Sequence, residues 1–370
     1  MKIEITPKLD FNNVLIKPQR TTISSRSEVC LERNFTFQNS STDWKGIPIM
    51  AANMDTTGTF GVLKILSKFK MLTCLNKFYT LKDYINFIEE IKLNEEKEEM
   101  TTPEKLNKKI SDILNYTVVS TGISEKNYKN LCEIMDNVPL KWICIDVANG
   151  YMYKMVEFCK KVRNRYPKAI IIAGNVASGE MTQELIINGG VDIVKVGIGP
   201  GSACLTRMKT GVGVPQLSAI IDCADAAHGC SGFIVGDGGI TCPGDMAKAF
   251  GGGADFVMCG GVFSGHDENP GEIIEEEVDN SNIIKKYKLF YGMSSELAMK
   301  KHYGSMANYR ASEGRVVKVP YRGSLEETIR DYLGGLRSAC AYVNAKKIKH
   351  LPKCTTFILV SQQINTHLVK

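Results

Sequence analysis

The sequence predicts an α/β fold in which eight parallel strands close into a (β/α)8 TIM barrel, with a long lid after the eighth strand. Short apolar runs bounded by Gly, Asn, Asp or Pro recur between residues 47 and 260, and segments of helical spacing separate them. Apolar strands that alternate with helices form parallel sheets covered by helices, and eight such units favour closure into a barrel. A length of 370 residues also suits one large barrel with additions.

The predicted barrel strands are 47–50, 71–75, 117–121, 142–147, 169–173, 191–196, 232–235 and 256–259. Between them, residues 83–93 and the stretch from Met155 to Pro167 carry apolar side chains at helical spacing. A doubly wound sheet fits less well, because it needs a glycine-rich phosphate fingerprint after its first strand and residues 54–58 do not form one. The charged segment 94–109 is predicted to be a solvated loop or a frayed helix.

The segment after the eighth strand departs from the barrel pattern. Residues 265–325 form an excursion of about 60 residues, which is too long for an ordinary connection. Because barrel active sites lie at the face where this segment begins, it is a candidate lid. Residues 326–341 are predicted to close the barrel as a helix, with Ile329, Tyr332, Leu333 and Leu336 facing inward. We expect one domain over 1–370, made of an N-terminal arm (1–46), barrel strands (47–260), the lid (265–325) and a C-terminal helix and tail (326–370).

The composition excludes several classes of protein. Hydrophobic residues make up 44% and charged residues 23%, which excludes a disordered, collagen-like or coiled-coil chain. No uncharged apolar run reaches the roughly 18 residues of a membrane span, and residues 1–7 lack the apolar run of a secretory signal, so we expect a cytoplasmic protein without a membrane partner. The net charge of +6 is scattered, which favours a small anionic ligand over nucleic acid.

The cysteines form no zinc-binding pattern. The chain has 12 of them, without a CxxC pair or a Cys/His cluster at zinc spacing. We expect most of these thiols to be reduced and structural. One lies in different surroundings: Cys204 follows the sixth strand within the glycine-rich segment 197–207, on the catalytic face of the barrel. Arg207, close in sequence, is expected to favour the thiolate, so Cys204 is the candidate nucleophile.

Two further glycine clusters follow strands seven and eight. They are Asp237-Gly238-Gly239 and Gly260-Gly261. Loops in these positions commonly bind phosphate in barrels, and a carboxylate among them suits sugar hydroxyls, so the pair predicts a ribose phosphate site. In the lid, residues 309–314 combine an aromatic ring, a cation, a hydroxyl and an acid. If the lid brings Glu313 to Thr206, the carboxylate and the hydroxyl can relay a proton.

These segments carry a family resemblance. The string Gly-Ile-Gly-Pro-Gly-Ser-Ala-Cys-Leu-Thr-Arg at 197–207 and residues 210–219 resemble the inosine monophosphate dehydrogenase and guanosine monophosphate reductase superfamily, and residues 9–15, 51–56 and 237–239 agree with it. The resemblance extends over residues 9–363. Residues 289–296 and 309–314 are similar to the reductase branch.

The spacing of the early strands also favours the reductase branch. Most dehydrogenases of the superfamily insert a regulatory domain after the second strand. In this chain only about 40 residues, including a helix, separate the second predicted strand from the third, which leaves no room for such a domain.

The resemblance implies a reaction, in which GMP is reductively deaminated to IMP and ammonia by NADPH, in purine interconversion and salvage. Cys204 would attack C2 of the guanine ring, ammonia would leave a covalent thioimidate, and hydride transfer would be followed by expulsion of the thiolate. Covalent catalysis splits one difficult displacement into two easier steps. By motif position, Thr206 and Glu313 would move the protons.

The resemblance also implies the binding residues. The nucleotide would be held by Asp237, Gly238, Gly239, Gly260, Gly261, Gly292, Met293, Ser294, Arg310, Ala311, Ser312, Glu313 and Gly314. The dinucleotide would contact Lys77, Asp146, Val147, Ala148, Ile198, Gly199, Met293, Tyr309 and Arg310, with Ser25, Arg26, Ser338, Ala339, Cys340 and Ala341 from a neighbouring subunit of a homotetramer. The carbonyls of Gly199, Gly201, Cys204 and Arg207 would bind potassium.

The chain departs from the superfamily pattern at Leu205, at Arg315 and in a longer lid at 275–284, and we expect these changes to affect the lid or the cofactor rather than the chemistry. Three alternatives remain at this point. They are an IMP dehydrogenase without a regulatory domain, a nucleotide sensor without turnover and a flavin-dependent barrel oxidoreductase.

Overall fold

The computed structural model describes residues 2–96, 102–278, 283–305 and 311–361. Three strands precede the barrel: β1 (Val14–Ile16), β2 (Arg33–Phe37) and β3 (Thr42–Gly46). The barrel strands are β4 (Ile49–Ala51), β5 (Leu72–Cys74), β6 (Thr117–Thr121), β7 (Trp142–Asp146), β8 (Ile170–Val176), β9 (Ile193–Val196), β10 (Phe233–Asp237) and β11 (Phe256–Cys259). Each pairs in parallel with the next along the chain, and β11 pairs with β4. The predicted closed barrel of eight parallel strands is confirmed.

Most of the helices lie between barrel strands in the chain, and the last three follow β11. They are α1 (Phe60–Lys68), α2 (Leu81–Glu96), α3 (Pro103–Leu114), α4 (Glu125–Asn137), α5 (Tyr153–Arg165), α6 (Gly179–Ile187), α7 (Thr206–Thr210), α8 (Gln216–Gly229), α9 (Pro243–Gly251), α10 (Glu296–Tyr303), α11 (Leu325–Tyr342) and α12 (Leu351–Cys354). Within the described residues, no helix is long and apolar enough to cross a membrane.

The charged segment 94–109 differs from its prediction as a solvated loop or frayed helix. Where it is described, it consists of the end of α2 and the first half of α3. Thr102 caps α3 by accepting a hydrogen bond from the Lys105 N–H, and proline occupies the first turn. Ile110 and Leu114 of the same helix are buried in the core, so one apolar face stabilises an otherwise charged helix.

The N-terminal end of the barrel is closed by aromatic side chains. Strands β2 and β3 form a hairpin that carries Phe35, Phe37 and Trp44 into the barrel interior. The ring of Phe35 lies 4.3 Å from that of Phe256, and Trp44 lies 5.3 Å from Trp142 in an edge-to-face contact. Packing of this kind buries large apolar areas and fills this end of the barrel. A ligand therefore has access from the opposite end, where the strands end.

The lid folds as a small sheet, which the sequence pattern did not predict. Strands β12 (Ile274–Val278), β13 (Ile283–Tyr291) and β14 (Val316–Pro320) are antiparallel, and α10 lies between β13 and β14 in the chain. Cross-strand ion pairs such as Glu275–Lys286, at 2.9 Å, stabilise strands that are too charged to resemble core strands. Lys288 is buried and donates to the carbonyls of His266 and Asn269, which attaches the lid to the segment after β11.

The C-terminal segment closes the fold. The predicted helix is confirmed as α11, and Ile329, Tyr332, Leu333 and Leu336 are buried on its inner face. The last strand, β15 (Phe357–Leu359), pairs antiparallel with β1, so the N-terminal arm and the C-terminal tail are joined beside the barrel.

Candidate active site

The loop after β9 turns sharply because of its glycines. Gly199 has a φ of 89°, in the left-handed region that favours glycine. A Cβ atom at this position would lie 2.5 Å from Cγ of Arg207, well inside van der Waals contact. The Cys204 N–H donates to the Gly201 carbonyl at 2.9 Å, and α7 begins two residues later at Thr206. The turn thus fixes Cys204 and Thr206 at the catalytic end of the barrel.

Cys204, Thr206 and Glu313 form a continuous chain of contacts. The Cys204 thiol donates to the Thr206 hydroxyl at 3.2 Å, and that hydroxyl donates to Oε2 of Glu313 at 2.8 Å. Backbone hydrogen bonds fix the approach, since the Leu205 N–H donates to the Glu313 carbonyl and the Arg315 N–H donates to the Ala203 carbonyl. The lid therefore brings its carboxylate to the loop that carries the thiol.

Arg315 and Leu205, the two departures from the superfamily pattern, both lie in this junction. The Arg315 Nε donates to the Ser202 carbonyl at 2.8 Å, and the Leu205 contact uses its backbone N–H. Neither side chain disturbs the backbone pairing between loop and lid.

A cavity of about 630 Å3 opens beside these side chains, at the carboxyl ends of the barrel strands. The predicted site residues that line it are Lys77, Asp146, Val147, Ala148, Ile198, Gly199, Gly201, Cys204, Thr206, Asp237, Gly238, Gly239, Gly260, Gly261, Gly292, Met293, Ser294, Glu313 and Gly314. The structure therefore gathers most of the predicted site around one cavity, with contributions from the barrel loops and from the lid.

The thiols differ sharply in exposure. All twelve cysteines are free, and two of them, Cys204 and Cys259, line the cavity. Cys259 is buried at the end of β11, and burial raises the pKa of its thiol, which disfavours the nucleophilic thiolate. Cys204 is partly exposed at the cavity wall, so it is the thiol that a bound ligand can approach.

A buried charge network forms the floor of the cavity. The Lys195 ammonium lies 2.8 Å from Asp146 and 2.7 Å from Asp237, and Asn175 also donates to Asp237, at 2.9 Å. Burial by itself would raise the pKa of Asp146, but Lys195 and then Lys77 outweigh it, so the net shift is downward. Burial lowers the pKa of Lys195, but Asp146 and Asp237 raise it well above its usual value. These shifts favour the charged forms of Asp146 and Lys195.

The Arg207 side chain has its direct polar contacts with the N-terminal arm and with its own loop. Its guanidinium pairs with Asp10 at 3.1 Å and donates to the Val214 carbonyl at 2.8 Å. The carboxylate compensates its charge and draws the side chain to the N-terminal arm. Arg207 therefore supports the loop, and its expected effect on the Cys204 thiolate stays a prediction.

Several predicted cofactor residues lie away from the cavity of their own chain. Ser25 and Arg26 are exposed, and Ser338, Ala339 and Ala341 are partly exposed on α11. Cys340 of the same helix is buried in the core, and its assignment to the cofactor of a neighbouring subunit stays a prediction. Of the lid motif, Ala311 and Ser312 are described but do not line the cavity, whereas Tyr309 and Arg310 lie outside the described residues.

The potassium prediction involves backbone carbonyls rather than side chains. Gly201 and Arg207 each accept one backbone hydrogen bond, from Cys204 and Gly211, and a carbonyl oxygen retains a second lone pair. Uncharged carbonyl oxygens suit a monovalent cation whose hydration shell they replace. Among the described residues, no group of three or more His, Cys, Asp or Glu side chains is arranged to hold a metal. The predicted donors are uncharged oxygen atoms, which are the kind of ligand that a potassium ion accepts.

Several residues of the site were not predicted from the sequence. Met54, Phe78, Asn175, Lys195 and Tyr303 also line the cavity. Lys195 had a recognisable signal, a single charge within the apolar strand β9. Asn175 had a weaker one, a polar residue near the end of β8.

A buried carboxylate attaches the lid to the barrel. Asp55 follows β4 and is 4% exposed. Its Oδ2 accepts hydrogen bonds from Tyr291 and His302 at 3.1 and 2.7 Å, and Lys301 lies 3.1 Å away. The His302 ring also stacks on Phe78 at a centroid distance of 3.5 Å. These contacts fix the chain just before Gly292, where the lid reaches the cavity.

Comparisons with known proteins identify the family of the chain. Residues 8–366 match the family model described as the IMP dehydrogenase / GMP reductase domain. The chain is 53% identical to GMP reductase of Escherichia coli strain K12 / DH10B over 366 residues, which covers 99% of this chain and 98% of that protein. It is also 53% identical to GMP reductase 2 of Homo sapiens over 359 residues, covering 97% and 96%.

A solved structure supports the fold. A GMP reductase from Trypanosoma brucei in complex with guanosine 5'-monophosphate superposes with a TM-score of 0.81 at 22% identity, over 96% of each chain. The family match and the full-length identity to curated proteins agree with each other. The chain therefore belongs to the IMP dehydrogenase / GMP reductase family of enzymes.

Proposed function

We propose that this enzyme reduces GMP to IMP and ammonia with NADPH as the electron donor. The observation that carries the proposal is the chain of contacts from Cys204 through Thr206 to Glu313 at the wall of the cavity. The 53% identity to proteins named GMP reductase supports the choice of GMP as substrate. We place the reaction in cytoplasmic purine interconversion and salvage.

The residues of this chain supply a nucleophile and a proton relay. Cys204 transfers its proton to the Thr206–Glu313 pair, and the thiolate attacks C2 of the guanine ring. The pair returns the proton to the exocyclic amine, ammonia leaves and the thioimidate remains. NADPH, when bound, supplies the hydride that reduces C2. The expelled Cys204 thiolate then regains a proton, so one GMP, one NADPH and one proton give IMP, ammonia and NADP+.

The nucleotide site is assigned to the loops after β10 and β11 and to the lid. Gly238 and Gly239 have φ values of 88° and 79°, so the backbone comes close to the cavity without a side chain between them. Such a surface suits phosphate oxygens, whereas Asp237 suits the ribose hydroxyls. We extend the same assignment to Gly260, Gly261, Gly292, Met293, Ser294 and residues 310–314.

The cofactor is assigned to the side of the cavity formed by Lys77, Asp146, Val147 and Ala148. Asn175 faces the same cavity, and its Oδ1 is buried without a hydrogen-bond partner among the described residues. A buried acceptor without a partner is costly, and an N–H or O–H group of a ligand relieves that cost. This observation fits a polar ligand beside Asp146. Ile198, Gly199, Met293, Tyr309 and Arg310 complete the assignment.

A potassium ion on the carbonyls of Gly199, Gly201, Cys204 and Arg207 would stiffen the loop that directs the thiol. We also propose a homotetramer, in which Ser25, Arg26, Ser338, Ala339 and Ala341 reach the cofactor of a neighbouring subunit. In support, the turn Arg26–Glu28 packs against α11, so these residues form one surface away from the cavity of their own chain.

One assay distinguishes this proposal from its nearest alternative, an IMP dehydrogenase without a regulatory domain. The purified enzyme is mixed with GMP or IMP, each with reduced or oxidised cofactor. We expect NADPH consumption and ammonia release with GMP, and no conversion of IMP to XMP with NAD. Production of XMP would establish the alternative, whereas binding of GMP without turnover would indicate a sensor.

A further inference from the structure

Lys195 is a buried charge at the centre of the cavity floor. It lies on β9, and its side chain is 5% exposed. Its Nζ contacts Oδ1 of Asp146 and Oδ2 of Asp237 at almost equal distances, 2.8 and 2.7 Å, with the sulfur of Met258 at 3.9 Å. A buried ammonium is stable only when it is paired, so each carboxylate is held in place by the same cation.

The two carboxylates serve different parts of the cavity. Asp237 ends β10 and precedes the glycines assigned to the nucleotide. Asp146 ends β7 and precedes Val147 and Ala148, which are assigned to the cofactor. The side-chain contacts that we describe for Asp237, from Lys195 and Asn175, both use Oδ2, which leaves Oδ1 for a ligand hydroxyl.

We propose that Lys195 is a positioning residue that couples the two subsites, because it orients Asp237 for the nucleotide and Asp146 for the nicotinamide cofactor at the same time. Loss of the ammonium therefore weakens binding at both subsites. The inference rests on the proposed function, from which it takes the assignment of the subsites.

The physical basis is the balance of two negative charges against one positive charge. Without Lys195, the two carboxylates face each other in a partly buried site as like charges, and one of them takes up a proton or turns away. Either response removes a correctly oriented acceptor. An arginine at this position restores the charge and can contact both carboxylates, whereas a methionine fills the space without a charge.

The test compares Lys195→Met and Lys195→Arg in the full-length enzyme. The dissociation constants of GMP alone and of NADP+ alone are measured by titration calorimetry, and thermal unfolding confirms that each variant folds. We expect Lys195→Met to raise both constants by roughly tenfold or more, as loss of a charge-assisted contact does. We expect Lys195→Arg to restore most of the affinity at both subsites.

Lys248→Met is the matched control. Lys248 is another largely buried lysine, with its side chain 13% exposed, and it donates to the Phe11 carbonyl away from the cavity. Its loss lowers stability but leaves both dissociation constants unchanged. The comparison separates an effect of Lys195 on the ligands from a general effect of losing a buried lysine.

A second variant tests the coupling without removing Lys195. In Asp146→Asn, Lys195 pairs with Asp237 alone and competes with the ribose hydroxyls, so we expect weaker GMP binding as well as weaker cofactor binding. Lys77→Met alters the part of the cavity that is assigned to the cofactor, but Lys77 does not contact Lys195. We therefore expect this variant to weaken cofactor binding and to leave GMP binding unchanged. If Lys195→Met fails to fold, the comparison of Asp146→Asn with Lys77→Met tests the coupling.

The outcomes separate the inference from the proposed function. If the wild-type enzyme binds neither GMP nor NADP+, the proposed function fails. If it binds both and converts GMP with NADPH, but Lys195→Met changes only one of the two dissociation constants or neither, the coupling is wrong while the function stands. An unchanged GMP constant in Asp146→Asn also overturns the coupling.

Discussion

The hydroxyl of Thr206 donates a 2.8 Å hydrogen bond to the carboxylate of Glu313, although 107 residues separate them in the chain. Thr206 lies at the start of α7, beside the barrel, and Glu313 lies in the lid just before β14. Backbone hydrogen bonds on both sides of this pair fix its geometry. The proton relay that we propose therefore requires the lid to be docked, and under the proposed mechanism the lid is part of the catalytic apparatus.

The first prediction concerns the relay. Glu313→Gln retains the shape but cannot accept a proton, so we expect kcat to fall by about 10²- to 10⁴-fold with little change in GMP affinity. Thr206→Val interrupts the same relay. Steady-state kinetics of the two single variants and the double variant check this, and the losses should be far from additive. Strictly additive losses would show that the two residues act separately.

The second prediction concerns the shape of the loop that carries Cys204. Gly199→Ala places a Cβ atom on a backbone with a left-handed φ and brings it into a clash with Arg207. We therefore expect turnover to fall at least about tenfold. Gly211→Ala is the control, because Gly211 also has a positive φ but open space around its Cβ position. That variant should lose about 1 kcal/mol of stability and retain its turnover. Equal loss of turnover in both would indicate that backbone strain alone is responsible.

The third prediction concerns the attachment of the lid. Asp55→Asn removes the charge that pairs with Lys301 and contacts Tyr291 and His302. We expect a higher KM for GMP and faster proteolysis within the lid, because the segment before Gly292 is no longer fixed. Asp136→Asn, which breaks an exposed ion pair with Arg165, is the control and should change neither. A lid equally resistant to protease in Asp55→Asn would refute this role.

The fourth prediction concerns pH and stability. His266 is fully buried, with its ring bonded to Thr328, and burial followed by the charge of Arg322 lowers its pKa from 6.5 to about 4. The unfolded chain therefore binds more protons than the folded chain between pH 6.5 and 4, and stability falls as the pH is lowered through this window. Across this window, His266 lowers the free energy of unfolding by about 3 kcal/mol.

Chemical denaturation across this pH range checks the prediction. His266→Leu should remove this part of the pH dependence, whereas His350→Leu, at an exposed position, should leave it intact. An identical pH profile in wild type and His266→Leu would contradict the assignment.

The barrel was predictable because its strands are apolar on both faces and short, a pattern that few other folds share. The loop that carries Cys204 was predictable from its glycines. The lid sheet was not, because β12 and β13 are rich in charged residues, such as the facing pair Glu275 and Lys286, and lack the apolar pattern of the barrel strands. The ion pair of Arg207 could not be predicted from the sequence either, because its partner Asp10 lies 197 residues away in the chain. Contacts of this kind depend on tertiary packing.

The most direct test of the central claim is the stoichiometry of the reaction with GMP and NADPH in wild type and Cys204→Ala. We expect equal amounts of IMP, ammonia and NADP+ from the wild-type enzyme. We expect turnover to be lower by about 10³-fold or more in Cys204→Ala, with GMP binding retained, and to be unchanged in the control Cys230→Ala. Undiminished turnover in Cys204→Ala, or NADP+ formation without ammonia, would refute the covalent mechanism.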